Sequence, residues 1–331
     1  MTSILLYVSG VALILFTITD LIWTTLWVDG GAGPMSKRIA RSTWKITRRI
    51  SKNEKGLFNI IGPLILVLTL LSWVLLLWIG LTLFFSGDPE SIVQTTFEGP
   101  VMWYERLYFT GFTLFTLGVG DYSPQPGFWQ VITALNSGIG ILFLTLGASY
   151  VISVVSAVVK KRALAQTVTG LGMDSSEVMR KAWSGEDFYQ LDLFLMNASS
   201  QITELTQQHQ AYPLLHYYHS QKPQESLAVG IAILDDVLTM VHHGLADKGT
   251  VNMMLICEAR SSIETYLETM TSAFIEEAEN EPPYPDWIDL KELKLPLVEE
   301  EEFSERIQKV SHRRRKLLGA VEADNHEWPQ P

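Results

Sequence analysis

Apolar residues gather in three long runs along the chain, 3–28, 57–86 and 128–159, with polar stretches between them. A helix needs about 20 apolar residues to cross a ~30 Å hydrocarbon core, and each run exceeds that length. The pattern therefore predicts three membrane-crossing helices. The first run has no basic n-region and no small-residue cleavage site, so it reads as a helix and not as a signal peptide. Between the second and third runs lies a shorter apolar stretch at 102–115, MWYERLYFTGFTLF, about four helical turns long. A helix of that length can dip into a bilayer and return but cannot span it.

Beyond residue 165 the apolar positions recur at helical spacing over 185–208, 224–245 and 249–278. In the last of these Val251, Leu255, Ala259, Ile263, Tyr266, Met270 and Phe274 form one stripe, the mark of an amphipathic helix packed on a core. Asp174 with Glu177, and Ser184 with Asp187, read as helix starts. The stretch EPPYPD at 281–286 breaks the run, and a charged helix containing His312 and the following RRRK is expected near 299–319. The fold class that follows is an all-α membrane protein: three transmembrane helices, a short re-entrant helix with its loop, and a cytoplasmic helical domain over 165–331.

Charge sets the expected orientation. The segment after the first run carries Lys37, Arg38, Arg41, Lys45, Arg48, Arg49, Lys52 and Lys55, and Lys160, Lys161 and Arg162 follow the last run. Short loops rich in Lys and Arg stay on the cytoplasmic side. The loop at 87–127 holds Asp88, Glu90, Glu98, Glu105 and Asp121 with Arg106 as its one base, so it belongs outside with the N-terminus. Ile39, Trp44, Ile46 and Ile50 alternate with the bases, which makes 31–56 an amphipathic segment suited to anionic headgroups. It serves either as a topology signal alone or as a cuff that passes motion to the membrane helices. The net charge of −11 resides in the C-terminal half, where acids outnumber bases about two to one. The single Cys257 cannot form an internal disulfide, in keeping with a reducing compartment.

The 102–115 stretch leads into Thr116-Leu117-Gly118-Val119-Gly120-Asp121 and then Tyr-Ser-Pro-Gln-Pro-Gly. Glycines two apart accept positive φ at little steric cost and let successive carbonyls face one way. Rings of such carbonyls can replace the hydration shell of a cation. FTLGVGDYSP resembles the potassium-channel pore signature, a loop of backbone carbonyls that strips and coordinates potassium. Thr116, Gly118, Gly120 and Asp121 carry the match, set between an outer helix (57–86), a pore helix (102–115) and an inner helix (128–159). The resemblance covers residues 57–160, the pore domain. The helix at 1–30, the basic segment at 31–56 and the domain at 165–331 lie outside it.

Carried over by position, the resemblance implies that carbonyls of Thr116, Leu117, Gly118, Val119 and Gly120 bind permeating K+, with Thr116 adding its hydroxyl and Asp121 sitting behind the outer mouth. Two positions depart from the family. Val119 stands where an aromatic is usual, and Phe115 where Thr or Ser is usual, so the brace around the filter is lighter and Na+ becomes an alternative permeant. One loop supplies one wall of a pore, so cyclic symmetry implies a homotetramer. Asn136 and Ser137 are candidate liners of an inner cavity. Gly138, Gly140 and Gly147 are candidates for a gating hinge by family analogy, or for close helix packing.

Asp20 lies near the inner end of the first helix, where an acid either snorkels or finds a partner in the basic segment. No ladder of Arg at three-residue spacing appears in the runs, so no voltage sensor is expected. His209, His216 and His219 lack the Cys or HExxH context of a metal centre and read as core or surface histidines. No nucleotide fingerprint and no nucleophile–base pair is present, so the chain is read as neither an enzyme nor a cofactor protein, and nucleic acid is not an expected partner. The readings carried forward are a potassium-type channel of the plasma (inner) membrane, a weakly selective monovalent cation channel, and a non-conducting membrane sensor or scaffold on a channel fold.

Overall fold

The computed structural model describes residues 2–28, 31–50, 58–95, 99–273, 275–285, 291 and 295–329. Lys52, Lys55, Glu98, Phe274 and Asp286 of the patterns above lie outside the described residues. The chain divides into two compact units, one of Met1–Ile50 with Pro63–Val154 and one of Ser51–Gly62 with Val155–Pro331.

The first unit is built on α1 (Thr2–Leu26), α2 (Pro34–Ile50), α3 (Phe58–Ser86), α4 (Trp103–Leu114) and α5 (Phe128–Thr169), with α3 and α5 contributing residues to both units. Helix α3 carries no charged residue over 29 positions, and its one proline, Pro63, lies in the second turn, where the missing N–H leaves the Asn59 carbonyl without its helical donor. Helix α5 spans 42 residues, about 63 Å at 1.5 Å per residue. It runs ten residues past the end of the apolar run at 159. Hydropathy marks where the greasy surface stops, and the sequence beyond it, KKRALAQTVT, has no glycine or proline to stop a helix. The wholly helical expectation needs one addition: β1 (Ile92–Gln94) pairs antiparallel with β2 (Tyr122–Pro124) in a short ribbon. Below it Phe85, Phe109, Phe112, Tyr122 and Trp129 form a buried aromatic cluster, with Phe109 edge-on to both Phe85 and Phe112 at 5.4 and 5.3 Å.

Among the described residues four helices are long and apolar enough to cross a membrane, and burial separates them. The spans in α1, α3 and α5 have 22%, 39% and 28% of their apolar window covered by protein, whereas Leu227–Gly244 has 89% covered. Three greasy surfaces stay bare; the fourth is inside a protein core.

That core belongs to the second unit, with α6 (Ser175–Ala182), α7 (Asp192–Ala211), α8 (Leu227–Thr239), α9 (Met253–Ala273), α10 (Glu300–Gln308) and α11 (Ser311–Ala323). Asp174 caps α6, accepting from the Glu177 N–H at 2.8 Å. Ser184 and Asp187 instead close a turn on each other, and the next α-helix begins at Asp192. The α9 stripe from Val251 to Met270 is buried as its period requires. Helix α8 departs from expectation: it is not amphipathic, since all 13 of its residues are buried with α6, α9 and α11 packed on it.

Two acids sit on that buried helix, and the charged helix expected near 299–319, which the structure divides into α10 and α11, meets them with its arginines. Arg313 Nε donates to Asp235 at 2.8 Å, and fully buried Arg314 pairs with Asp236, donates to the Pro283 carbonyl at 2.7 Å and lies 5.4 Å from the Trp328 ring centroid. Removing one member of such a pair leaves a buried charge uncompensated, at about 3–5 kcal/mol. Arg314→Leu is therefore expected to lower the thermal unfolding midpoint of the detergent-solubilised protein sharply, and Arg314→Leu with Asp236→Leu to recover much of the loss.

Histidines occupy a second buried polar region of this unit. His209 on α7 contacts the Leu205 carbonyl through Nδ1 at 2.9 Å, and His219 Nδ1 meets Asp324 at 2.7 Å, whose other oxygen accepts from the Ser226 hydroxyl. Burial pushes His209 down to about 4 and His216 down to about 3. The folded state therefore binds fewer protons than the unfolded chain below the ordinary histidine value near 6.5. Stability contributed by the neutral rings is complete above about pH 6.5 and falls as pH drops toward 4 and 3. Thermal unfolding across pH 7 to 4 is expected to show this loss, and His209→Phe to flatten its upper part.

Candidate functional site

The loop 116–121 is held from three sides. At the start of α4 the Glu105 carboxylate accepts from the Met102 N–H at 2.6 Å, closing the first turn. Arg106, buried in an apolar setting, donates through Nη1 to the carbonyls of Phe85 and Asp88 at 3.0 and 3.1 Å and to Ser91 Oγ at 2.9 Å, and through Nη2 to the Pro89 carbonyl at 2.8 Å. One guanidinium thus satisfies the carbonyls left open where α3 ends and fixes the beginning of α4 to that point. In the sequence Arg106 counted only as a lone base; a cation within an apolar helix with no acid at helical spacing was the available sign of a buried role.

At its other end α4 closes in a cap of the Schellman type. The Leu117 N–H reaches the Phe112 carbonyl at 2.7 Å and the Thr116 N–H reaches the Thr113 carbonyl at 3.2 Å. Thr116 has φ +57°, the left-handed position that such caps usually give to glycine. Gly118 and Gly120 follow at φ +60° and +89°, so left-handed residues alternate with Leu117 and Val119, whose φ is not positive. A threonine tolerates a left-handed φ only where its surroundings hold it there. Residues 115–120 are exposed in the single chain. Beyond them Thr95 ties the loop down, its N–H and hydroxyl donating to the Asp121 carbonyl at 3.0 and 2.9 Å, and the ribbon of β1 and β2 continues the link.

The third support is α5. Gly140 lies so near the end of α4 that an added Cβ would fall 1.9 Å from the Leu114 carbonyl oxygen, so only glycine fits. The amide of buried Asn136 donates to Thr113 Oγ1 at 2.6 Å, and Ser137 Oγ to the Thr113 carbonyl at 2.9 Å. The two residues read as cavity liners are thus placed against α4. Gly138 has open space around it and Gly147 ordinary contact with Leu70, and α5 is one continuous helix through all three glycines. Phe115 stands edge-on to Trp78, 5.7 Å between centroids, while Trp78 Nε1 donates to the Leu107 carbonyl at 2.9 Å. Below Thr116 an apolar cavity of about 350 Å³ opens between Trp73, Phe115, Gly140, Phe143 and Gly147.

This helix–loop–helix arrangement coincides with what known proteins share with the chain. The ion channel family is matched over residues 68–157, which runs from within α3 through the loop to within α5. The uncharacterised membrane protein YdjJ of Bacillus subtilis (strain 168) is 40% identical over 322 residues, 97% of this chain and 94% of its own length. No solved structure matches. The likeness to YdjJ spans nearly the whole chain, so it extends well beyond residues 68–157 on both sides. The chain therefore belongs with YdjJ to one family of membrane proteins, and within it residues 68–157 are similar to the ion channel family.

Proposed function

We propose that the protein is one quarter of a homotetrameric, potassium-type cation channel with three spans, α1, α3 and α5, and a re-entrant pore helix, α4. The observation that carries this reading is the alternation of left-handed residues at Thr116, Gly118 and Gly120 directly after the capped helix. Four such loops around an axis form stacked rings of carbonyls from Thr116 to Gly120 that replace the water around K+. The carbonyl end of α4 adds a partial negative charge of about half an elementary unit beneath them. Exposure of Leu117 and Val119, at 70% and 54% in the single chain, fits side chains covered by neighbouring copies. Leu227–Gly244, already covered by protein, stays with the cytoplasmic domain, which leaves the N-terminus outside and the second unit inside the plasma membrane. The basic helix α2 then faces the anionic headgroups of the inner leaflet.

Val119 favours one alternative within the class, a weakly selective monovalent cation channel, because its side chain offers bulk without a hydroxyl. Purified protein in liposomes is expected to pass K+ faster than Na+. Gly118→Ala, which forces a Cβ onto φ +60°, is expected to abolish both fluxes. Equal K+ and Na+ flux, lost in the variant, would select the weakly selective reading. Flux that survives the substitution would remove 116–120 from the pathway.

A further inference from the structure

The carboxylate of Asp20 is fully buried in the first unit and meets four donors. Oδ1 accepts from the Met35 N–H at 2.7 Å, and Oδ2 from Ser36 Oγ at 2.6 Å and Trp73 Nε1 at 2.8 Å, while the Ser36 N–H lies 3.3–3.4 Å from both. Asp20 therefore caps the N-terminus of α2 from another helix and in the same contact binds α3. Thr24, one turn on, accepts from the Gly33 N–H at 3.0 Å, and a Cβ at Gly33 would come within 2.4 Å of Asp20 Oδ1, so the approach is built for glycine. Trp73 in turn stands edge-on to Tyr150 of α5, 6.3 Å between centroids, and lines the apolar cavity beneath Thr116.

Helix α2 has the form of a lever for this joint. Its cations Lys37, Arg38, Arg41, Lys45, Arg48 and Arg49 are all exposed, and among the described residues none pairs with a carboxylate. At 100° per residue they occupy about a third of the helix circumference, with Ile39 and Ile46 on the opposite side. The stacked pair Trp23–Trp27, 5.7 Å apart at the end of α1, marks the interfacial level at which α2 begins.

We propose that docking of α2 on anionic phospholipid, with its apolar side entering the headgroup layer and its bases reaching the phosphates, is transmitted through Asp20 and Trp73 to the packing of α3 against α5 beside the cavity. The inference rests on the membrane topology given above but not on conduction. Its test uses the full chain with the exposed Cys257 replaced by Ser and an environment-sensitive fluorophore at Ile46→Cys on α2 or at Ala148→Cys in the cavity. Vesicles of phosphatidylcholine alone are compared with vesicles containing phosphatidylglycerol. Anionic vesicles are expected to blue-shift both emissions. Arg38→Gln with Arg41→Gln and Lys45→Gln should abolish both shifts, since each cation at an anionic surface is worth about a fivefold change in binding. Trp73→Phe keeps the ring but removes its N–H, and should retain the shift at 46 while losing that at 148; Asp20→Asn should follow it. An emission at 46 indifferent to anionic lipid, or a shift at 148 that survives Trp73→Phe, would overturn the inference. Liposome flux read in parallel keeps the two readings apart, because a silent pore overturns conduction and leaves both emission shifts as they are.

Discussion

Backbone polar groups far from water must find partners within the protein, and a non-helical loop set among apolar helices is where that constraint bites hardest. The end of α4 meets it in layers. The carbonyls of Phe112 and Thr113 receive N–H groups from the loop itself, the Thr113 carbonyl takes a further hydrogen bond from Ser137, and the Thr113 hydroxyl accepts from Asn136. With those carbonyls occupied, and those of Gly120 and Asp121 accepting from Thr95, the carbonyls of Leu117 to Val119 remain for another purpose. The same constraint explains Gly140: α5 comes close enough for its polar side chains to reach α4, and a methyl group at that point would push the helices apart.

The outer helix α3 is held at its end and at its middle by charges that the hydropathy pattern would never place in a membrane protein's interior. Arg106 collects the carbonyls where α3 ends, and Asp20, through Trp73, holds α3 nearer its middle and carries the start of α2 with it. A cation that gathers carbonyls and an anion that gathers N–H groups are the complementary solutions to orphaned helix ends. The second unit applies related chemistry differently, setting Asp235 and Asp236 on a helix buried all round and meeting them with Arg313 and Arg314. In each case the charged group is retained where a specific neighbour must be found, and apolar packing alone would accept many neighbours.

These contacts also mark the limit of what the sequence discloses. Long apolar runs and the short stretch at 102–115 were legible because helix length is tied to bilayer thickness, and the glycine loop because φ above zero restricts residue choice. The left-handed Thr116 was not legible, since nothing local distinguishes it from an ordinary threonine; the cap and its neighbours impose the angle. Helix α8 was misread as amphipathic because Asp235 and Asp236 look like a polar face until their arginines, 78 residues away in sequence, are seen to reach them. Asp20 does meet the basic segment, the second of its two expected fates, but at the backbone and hydroxyl of the segment's head, Met35 and Ser36, with Trp73 of α3 as a partner that no spacing signals.

Phe115 and Val119, the two departures from the potassium-channel pattern, belong to one argument. A filter needs lateral support, and the usual aromatic at the position of Val119 supplies it from within the loop. Here Phe115 supplies an aromatic one turn earlier, edge-on to Trp78, and Trp78 is itself fixed by its hydrogen bond to Leu107 and by its tight seat against Gly111. Support thus moves from the level of the loop to its base, where it bears on α3 and α4 instead of on the carbonyls of Val119 and Gly120. Under the channel reading, the inner end of the filter is braced by the cap, Phe115 and α5, and the outer end by Thr95 and the ribbon that continues it.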